Sequence, residues 1–269
     1  MLLDALGAGD LLYLADDEQD AEAVASALTF LAPEHHVVFL PSSDILPGDS
    51  APASPSNIGK RVAALRHLRR LAAGSKRRPL ATITSGEGAA RLYADPAAFD
   101  AAPPSLRVGE PIDPTNFAAD MERLGYVADD RVDEPGEVAV RGEVIDIFPA
   151  DAGLPARIDV ADGRVIGIRR YDPITQRTQA PCKLLEIGRA AEPEPERKVT
   201  ILAHLRPGRL YVSAKAEQRR ARFIRLATDA AGNSGSAIDA ASQSLWAKDL
   251  AAWRSGDPAD FAISPIPRF

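Results

Sequence analysis

"EVAVRGEVIDIFPADAGLPARIDVADGRVIGIRRYDPITQRT", residues 137–178, decides the fold of the middle of the chain. Apolar and charged residues alternate along it, the period-two pattern of a sheet with one face in a core and the other outside. Val138 and Val140 precede Gly142, and Ile145 and Ile147 follow it, a change of parity that a bulge at Gly142 would produce. Further on, "ARIDVADGRVIGIRRY" reads as two strands around Asp162-Gly163, the strongest short hairpin signal in the sequence. Ile158 and Val160 face one way and Arg157, Asp159 and Ala161 the other, while Arg141 and Glu143 share the parity opposite Val140 and Val144. If these strands pair, Arg141 and Arg157 project from one exposed face.

Upstream, "DAAPPS" (100–105) and one short helix, "PTNFAADMERLGY", lead into this sheet, so a small β-rich α+β domain is expected over residues 104–185. The chain before it has a different rhythm. "LLYLA" is a buried-strand candidate; Ala21, Val24, Ala25, Leu28 and Leu31 share a helical face; "HVVFLP" is a second strand; Ile58, Val62 and Leu65 mark another helix; "ATIT" is a third strand. Strand, helix, strand, helix, strand predicts a parallel sheet with crossover helices over residues 1–103. "PSSDILPGDSAPASPS" has four prolines and no periodicity, a long surface loop at the carboxyl end of a strand, where sites of α/β sheets sit.

Downstream, residues 186–269 are expected to return to the α/β domain and extend beyond it. "GRAAEPEPERK" reads as a charged connection with nothing to add to a core, "KVTILAHL" and "GRLYVSA" as strands that could pair, "KAEQRRARFIRLATDA" as a basic helix, "GNSGS" as a loop and "SLWAKDLAAW" as a helix.

Composition narrows the class. In 269 residues, 45% of them hydrophobic, there is material for one large domain or two ordinary ones. No run approaches the roughly 18 apolar residues of a membrane span, and "MLLDALGAGD" lacks the basic flank of a signal peptide, so a cytoplasmic protein with no membrane partner is expected. One cysteine, Cys182, and four histidines without ligand spacing give no metal site. The net charge of -6 argues against nucleic-acid binding by the whole surface, yet between Ser50 and Gly86 there is no acid at all.

Catalysis has no visible seat. A phosphate loop needs G-x-x-x-x-G-K-[ST]; the nearest string, Gly59-Lys60-Arg61, has Ser54 for the first glycine and arginine for the hydroxyl. No nucleophile elbow or zinc-helix motif is present, and Asp146 and Asp159 read as strand carboxylates paired with neighbouring arginines. The expectation is a non-enzyme without cofactor. Lys60, Arg61, Arg66, Arg69 and Arg70, continuing to Arg78, are candidate nucleic-acid contacts, with Arg219, Arg220, Arg222 and Arg225 on the later basic helix; a solvated helix face is the alternative. Arg141 and Arg157, with Gly142, Glu143 and Asp159 around them, are candidate contacts for a protein partner, because an arginine fork suits carboxylates and arginine is frequent in binding hot spots. Internal pairing with Glu137, Glu143 or Asp159 is the alternative for both arginines.

The wording of "VRGEVIDIFPADAGLPARIDV...GRVIGIRRYDPITQRT" resembles the UvrA-contacting domain shared by bacterial transcription-repair coupling factors and the excision-repair protein UvrB. "FLPSSDILPGDSAPASPSNIGKRVAALRHL" and "GEPIDPTNFAADMERLGYVADDRVDEPGEVAVRG" are similar to coupling-factor segments, so that the likeness runs over roughly residues 10 to 185. The resemblance implies a degenerate P-loop-type (UvrB-like) α/β domain with an inserted β-rich domain that binds UvrA. It also implies that Arg141, in the "RG" strand, and Arg157, in the "P-x-R-I/L-D" strand, make that contact. Where the family commonly carries aromatics after "R-I/L-D", this chain has Val160 and Ala161. The RNA-polymerase-binding and translocase domains of a full coupling factor have no counterpart in these residues, so RNA polymerase is not an expected partner of this chain alone.

Overall fold

The computed structural model describes residues 9–74, 78–194, 197–230 and 245–251. They form two compact units, one made of the chain up to Pro52, Ala64–Asp100 and the chain from Glu194 onward, the other of Ala53–Ala63 and Ala101–Pro193.

The first unit is the expected parallel α/β sheet. Strands β1 (Leu11–Ala15), β2 (His36–Phe39) and β3 (Leu80–Ser85) are joined by helices α1 (Glu18–Leu31) and α2 (Pro55–Ala73). Every residue of β1 and β3 is buried, as central strands of a sheet covered on both faces must be. Asp17 caps α1 by accepting from the Asp20 backbone N–H, and Ala21, Ala25 and Leu28 are its buried stripe; Leu31, expected on that stripe, sits in the last turn and is exposed. After the insertion the chain returns as β14 (Arg209–Val212), parallel to β1, and the order is β14-β1-β3-β2. Two short strands lie outside this sheet: β4 (Tyr93–Ala94) pairs antiparallel with β13 (Lys198–Val199). "KVTILAHL" and "GRLYVSA" therefore do not pair with each other; Leu210 and Tyr211 are buried and need the covered place beside β1. Helix α3 (Gly86–Ala90) follows β3, and α5 (Ala214–Ala230) follows β14. Residues 245–251 are helical as expected, and "GNSGS" lies outside the described residues.

The second unit contains a six-stranded sheet ordered β11-β10-β9-β8-β7-β6. In chain order these are β6 (Val127–Ala128), β7 (Glu137–Arg141), β8 (Val144–Ile147), β9 (Ala156–Ala161), β10 (Arg164–Tyr171) and β11 (Thr178–Pro181). The expected bulge at Gly142 is instead a two-residue hairpin turn: Arg141 pairs with Val144, Val140 with Ile145 and Val138 with Ile147. A two-residue turn pairs odd positions with even ones, which accounts for the parity change, and Gly142 supplies the turn's positive φ of 61°. The second hairpin is as expected, with Asp162 (φ 49°) and Gly163 (φ 69°) both left-handed between β9 and β10, and the bulge is in β10, between Val165 and Gly167.

The inner face of this sheet carries Val138, Ile145, Ile147, Ile158 and Val160 against Phe117 and Met121 of helix α4 (Pro114–Arg123), whose N-cap Asp113 accepts from the Thr115 and Asn116 backbone. The unit runs past the expected boundary at residue 185. Strand β12 (Leu184–Glu186) pairs with β5 (Ser105–Arg107), Ile187 and Ala190 lie in the core, and the Ala190 and Ala191 N–H groups donate to the Leu124 carbonyl. "GRAAEPEPERK" is thus part of the packing at its start, contrary to the expectation of a bare connection.

The start of α2 also belongs here. Gly59-Lys60-Arg61 is helix, and a Cβ at Gly59 would lie 2.5 Å from the Ala150 carbonyl carbon, so the glycine permits backbone approach between elements.

Candidate functional site

The inner face of the six-stranded sheet is apolar, whereas its outer face carries a charged cluster beside a small buried apolar one of Val132, Ala139 and Phe148. On β8, Ile145 and Ile147 point into the core, so the intervening Asp146 points to the outer face, together with Arg157 and Asp159 of β9 and Arg141 of β7. The strands bearing Arg141 and Arg157 do not pair with each other, because β8 lies between them. Both arginines nevertheless meet on that strand.

Asp146 is 1% exposed, and its carboxylate is held from two sides. Arg157, directly opposite in register, donates Nε to Oδ1 (2.7 Å) and Nη2 to Oδ2 (2.9 Å), a two-toothed clasp; Arg141 donates Nη2 to Oδ2 (2.5 Å) and Nη1 to the Asp130 carbonyl (3.1 Å). The arginines stay partly in water, their side chains 53% exposed for Arg141 and 32% for Arg157. Neither pairs with Glu137, Glu143 or Asp159: Glu137 accepts from the Asp133 and Glu134 backbone N–H groups, and Asp159 accepts from Arg169 Nη2 (2.8 Å). Strand carboxylates are therefore arginine-paired, as the sequence leads one to expect, with Asp146 as the shared centre.

Tyr171 of β10 completes the arrangement. The Arg157 guanidinium carbon lies 5.1 Å from its ring centroid, and its hydroxyl donates to the Val132 carbonyl (2.9 Å). Burial, followed by the nearby Asp146 charge, pushes the Tyr171 hydroxyl above its ordinary range, so it stays neutral; the hydrogen bonds to Asp146 hold the Arg157 guanidinium charged even more firmly than usual. Arg157 Nη2 also reaches Gln176 Oε1 (3.4 Å), in the loop between β10 and β11, and Nη1 has no hydrogen-bond partner among the described residues. Arg141, Arg157 and Arg169 thus share this face with Asp146, Asp159 and Glu137, so its charges balance, and the partly exposed guanidinium groups of Arg141 and Arg157 keep donors in solvent. Such a face offers arginine donors to carboxylates of a partner.

Gly142 and Glu143 lie in the exposed β7–β8 turn. Arg141, Gly142, Glu143, Arg157 and Asp159 thus fall within one hairpin and its neighbouring strands. Sequence reasoning missed Tyr171 and Gln176 as members of the cluster, and the central place of Asp146. The alternation in "IDI" carries the signal for Asp146; Tyr171 becomes visible only once the β10 register is known.

The basic stretch does not assemble in the same way. Arg61 is 1% exposed and bonds Glu192 through Nη2 (2.6 Å) and Nε (2.7 Å) as well as Asn57, which removes it as a nucleic-acid contact. Its neighbour Lys60 is exposed, about 100° away around the helix. In the first unit Arg69 pairs with Asp100, Arg66 is half-buried and Arg70 is exposed. Lys76 and Arg77 lie outside the described residues. On α5, Arg219 pairs with Glu87 and Arg220 with Glu217, both at 2.7 Å, while Arg222 and Arg225 are exposed.

Residues 105–192 match the UvrB interaction domain, a span that contains the whole arginine-bearing sheet. Along a longer stretch the chain is similar to transcription-repair-coupling factors. It is 30% identical over 190 residues to that of Myxococcus xanthus (68% of this chain, 15% of the relative), and 28% identical over 172 residues to that of Bacillus subtilis (64% and 14%). To that of Haemophilus influenzae it is 30% identical over 167 residues (62% and 14%). The matched part is therefore about one seventh of these relatives' length. The chain carries a UvrB interaction domain. Together with the α/β segments that flank it in sequence, this makes a UvrB-like module of the kind found in transcription-repair-coupling factors. Among the described residues no helix is long and apolar enough to cross a membrane.

Proposed function

We propose that the chain is a non-enzymatic protein-interaction module of nucleotide excision repair, in its transcription-coupled form, and that it binds a UvrA-like protein in the cytoplasm through the outer face of its six-stranded sheet. One observation carries this reading: Arg141 and Arg157, the residues the family resemblance singles out, converge from two strands on the buried Asp146 and keep donors in solvent. An arginine fixed in advance loses less freedom on meeting a carboxylate than a mobile one, so the clasp favours binding. The α/β unit is read as a degenerate P-loop-type scaffold. In support, the closest string to a phosphate loop lies within a helix, where Gly59 serves packing against Ala150 and Arg61 is engaged by Glu192.

The test is a calorimetric titration of purified UvrA from the same cell with the whole chain, at low and physiological salt. Binding that weakens as salt rises is expected of a partly exposed, charge-led contact. No detectable heat or complex at either salt concentration would refute the proposal.

A further inference from the structure

On β9, Val160 is buried in the core and the outward position after Asp159 is Ala161, so the arginine face has no large apolar side chain there. A different apolar side chain stands beside it. Ile174, in the loop between β10 and β11, is 81% exposed.

Single exposed apolar residues are ordinary on protein surfaces. Ile174 differs in how it is held. The Asp172 carboxylate accepts from the Ile174 N–H (3.1 Å), the Thr175 N–H (2.7 Å) and the Thr175 hydroxyl (2.9 Å). The backbone closes the same loop: Gln176 N–H donates to the Asp172 carbonyl (2.8 Å), and Asp172 N–H to the Arg177 carbonyl (2.9 Å). Gln176 adopts a positive φ of 58° and its side-chain amide donates to the Pro173 carbonyl (2.9 Å). These bonds fix the loop while leaving the isoleucine in water, an arrangement that folding alone does not favour.

The loop is also tied to the arginine face. Gln176 Oε1 accepts from Arg157 Nη2, and the Ile174 carbonyl accepts from Arg131 Nη2 (3.3 Å). Arg131 adjoins Asp130, whose carbonyl accepts from Arg141. Ile174 thus borders the two arginines through one hydrogen-bonded chain of residues, at the edge of the face that carries them.

We propose that Ile174 is the apolar anchor of the docking surface, and that the partner presents an acidic patch to Arg141 and Arg157 with an apolar pocket beside it for the isoleucine. This rests on the protein-interaction reading above and adds to it a pocket next to the acidic patch. A pre-ordered apolar side chain next to fixed charges excludes water from the charged contacts and loses little entropy on docking.

The experiment titrates purified UvrA with the full chain as wild type, Ile174→Ala, Ile174→Val, Arg157→Lys and, as a control on the other unit, the exposed Phe30→Ala, each with its thermal melt. Expected results are an affinity loss of about tenfold for Ile174→Ala, most of the affinity kept by Ile174→Val and Phe30→Ala, and a melting temperature for Ile174→Ala that matches wild type. Wild-type affinity in Ile174→Ala, with Arg157→Lys weakened, overturns the anchor and leaves the arginine reading standing. Wild-type affinity in both overturns the arginine reading and the anchor together, as does failure of the wild-type chain to bind. A large drop in the Ile174→Ala melting temperature makes the residue structural and also overturns the anchor.

Discussion

Arg157 and Asp146 stand opposite each other on adjacent strands, and the arginine closes on the buried carboxylate with two hydrogen bonds of 2.7 and 2.9 Å. A surface arginine judged from sequence would be expected to matter for binding alone. In this pair, binding and folding are coupled, because removing the arginine takes a partner from a charge that water does not reach.

Arg157→Ala is therefore expected to destabilise the second unit as well as weaken binding. A buried charge left wholly unpaired costs about 3–5 kcal/mol. Asp146 keeps Arg141, so about 1–3 kcal/mol is expected. Urea denaturation of wild type and variant measures this, and a change below about 0.5 kcal/mol, the size of an ordinary surface substitution, would mean the clasp carries no stability.

Asp146→Asn keeps the shape and removes the charge between the two arginines. With their shared acceptor weakened, Arg141 and Arg157 repel each other and lose their fixed orientation, so UvrA binding should fall although neither arginine has changed. Equal affinity in calorimetry, with the fold retained, would show that Asp146 does not position them.

Arg61 and Arg70 should separate the two roles of the basic stretch. Arg61→Ala removes a buried guanidinium clasped by Glu192 and should destabilise by about 2–4 kcal/mol. Arg70→Ala, at an exposed position, should change stability by less than about 0.5 kcal/mol. Fluorescence anisotropy with a DNA duplex at graded salt checks the rival reading: a steep salt slope lost on removing Lys60 and Arg70 would favour nucleic-acid binding.

His204 should make the first unit acid-sensitive. Its Nε2 lies 2.9 Å from the Ala94 carbonyl, which can only accept, so Nε2 carries the hydrogen, and Nδ1 is buried without a partner among the described residues. Burial lowers its pKa to about 4, opposed by the Ala94 carbonyl and Asp95 and assisted by Arg69. Between the unfolded value near 6.5 and the folded value the unfolded chain binds the extra proton, so this contribution is full above about pH 6.5 and is lost as pH falls toward 4. Stability should drop by about 1–3 kcal/mol between pH 7 and 4.5 from this group. Melting curves across that range should be flatter in His204→Gln, and an unchanged slope would exclude His204 as the cause.

The parallel sheet was legible because residues 11–15 and 80–84 are unbroken apolar or β-branched runs separated by helical periodicity, and the Asp162-Gly163 hairpin because Asp-Gly is a dipeptide that accepts the two left-handed positions of such a turn. Gly142 misled because a bulge and a two-residue turn change parity alike, and only the register separates them. The end of the second unit was illegible: Ala190 and Glu192 sit in a proline- and charge-rich string, and their partners, the Leu124 carbonyl and Arg61, are distant in sequence. At the site, alternation gave the face of Arg141 and Arg157. Strand order, a non-local property, decided that Asp146 lies between them.

The arginine face is tested most directly by the affinity of purified UvrA for the whole chain and for the double variant Arg141→Lys, Arg157→Lys, each checked for a native melt. Lysine keeps the positive charges beside Asp146 and so protects the fold, while it removes the planar forks that would meet the partner. A loss of about tenfold or more in affinity at nearly unchanged melting temperature is predicted. Unchanged affinity would contradict the assignment of this face as the binding surface.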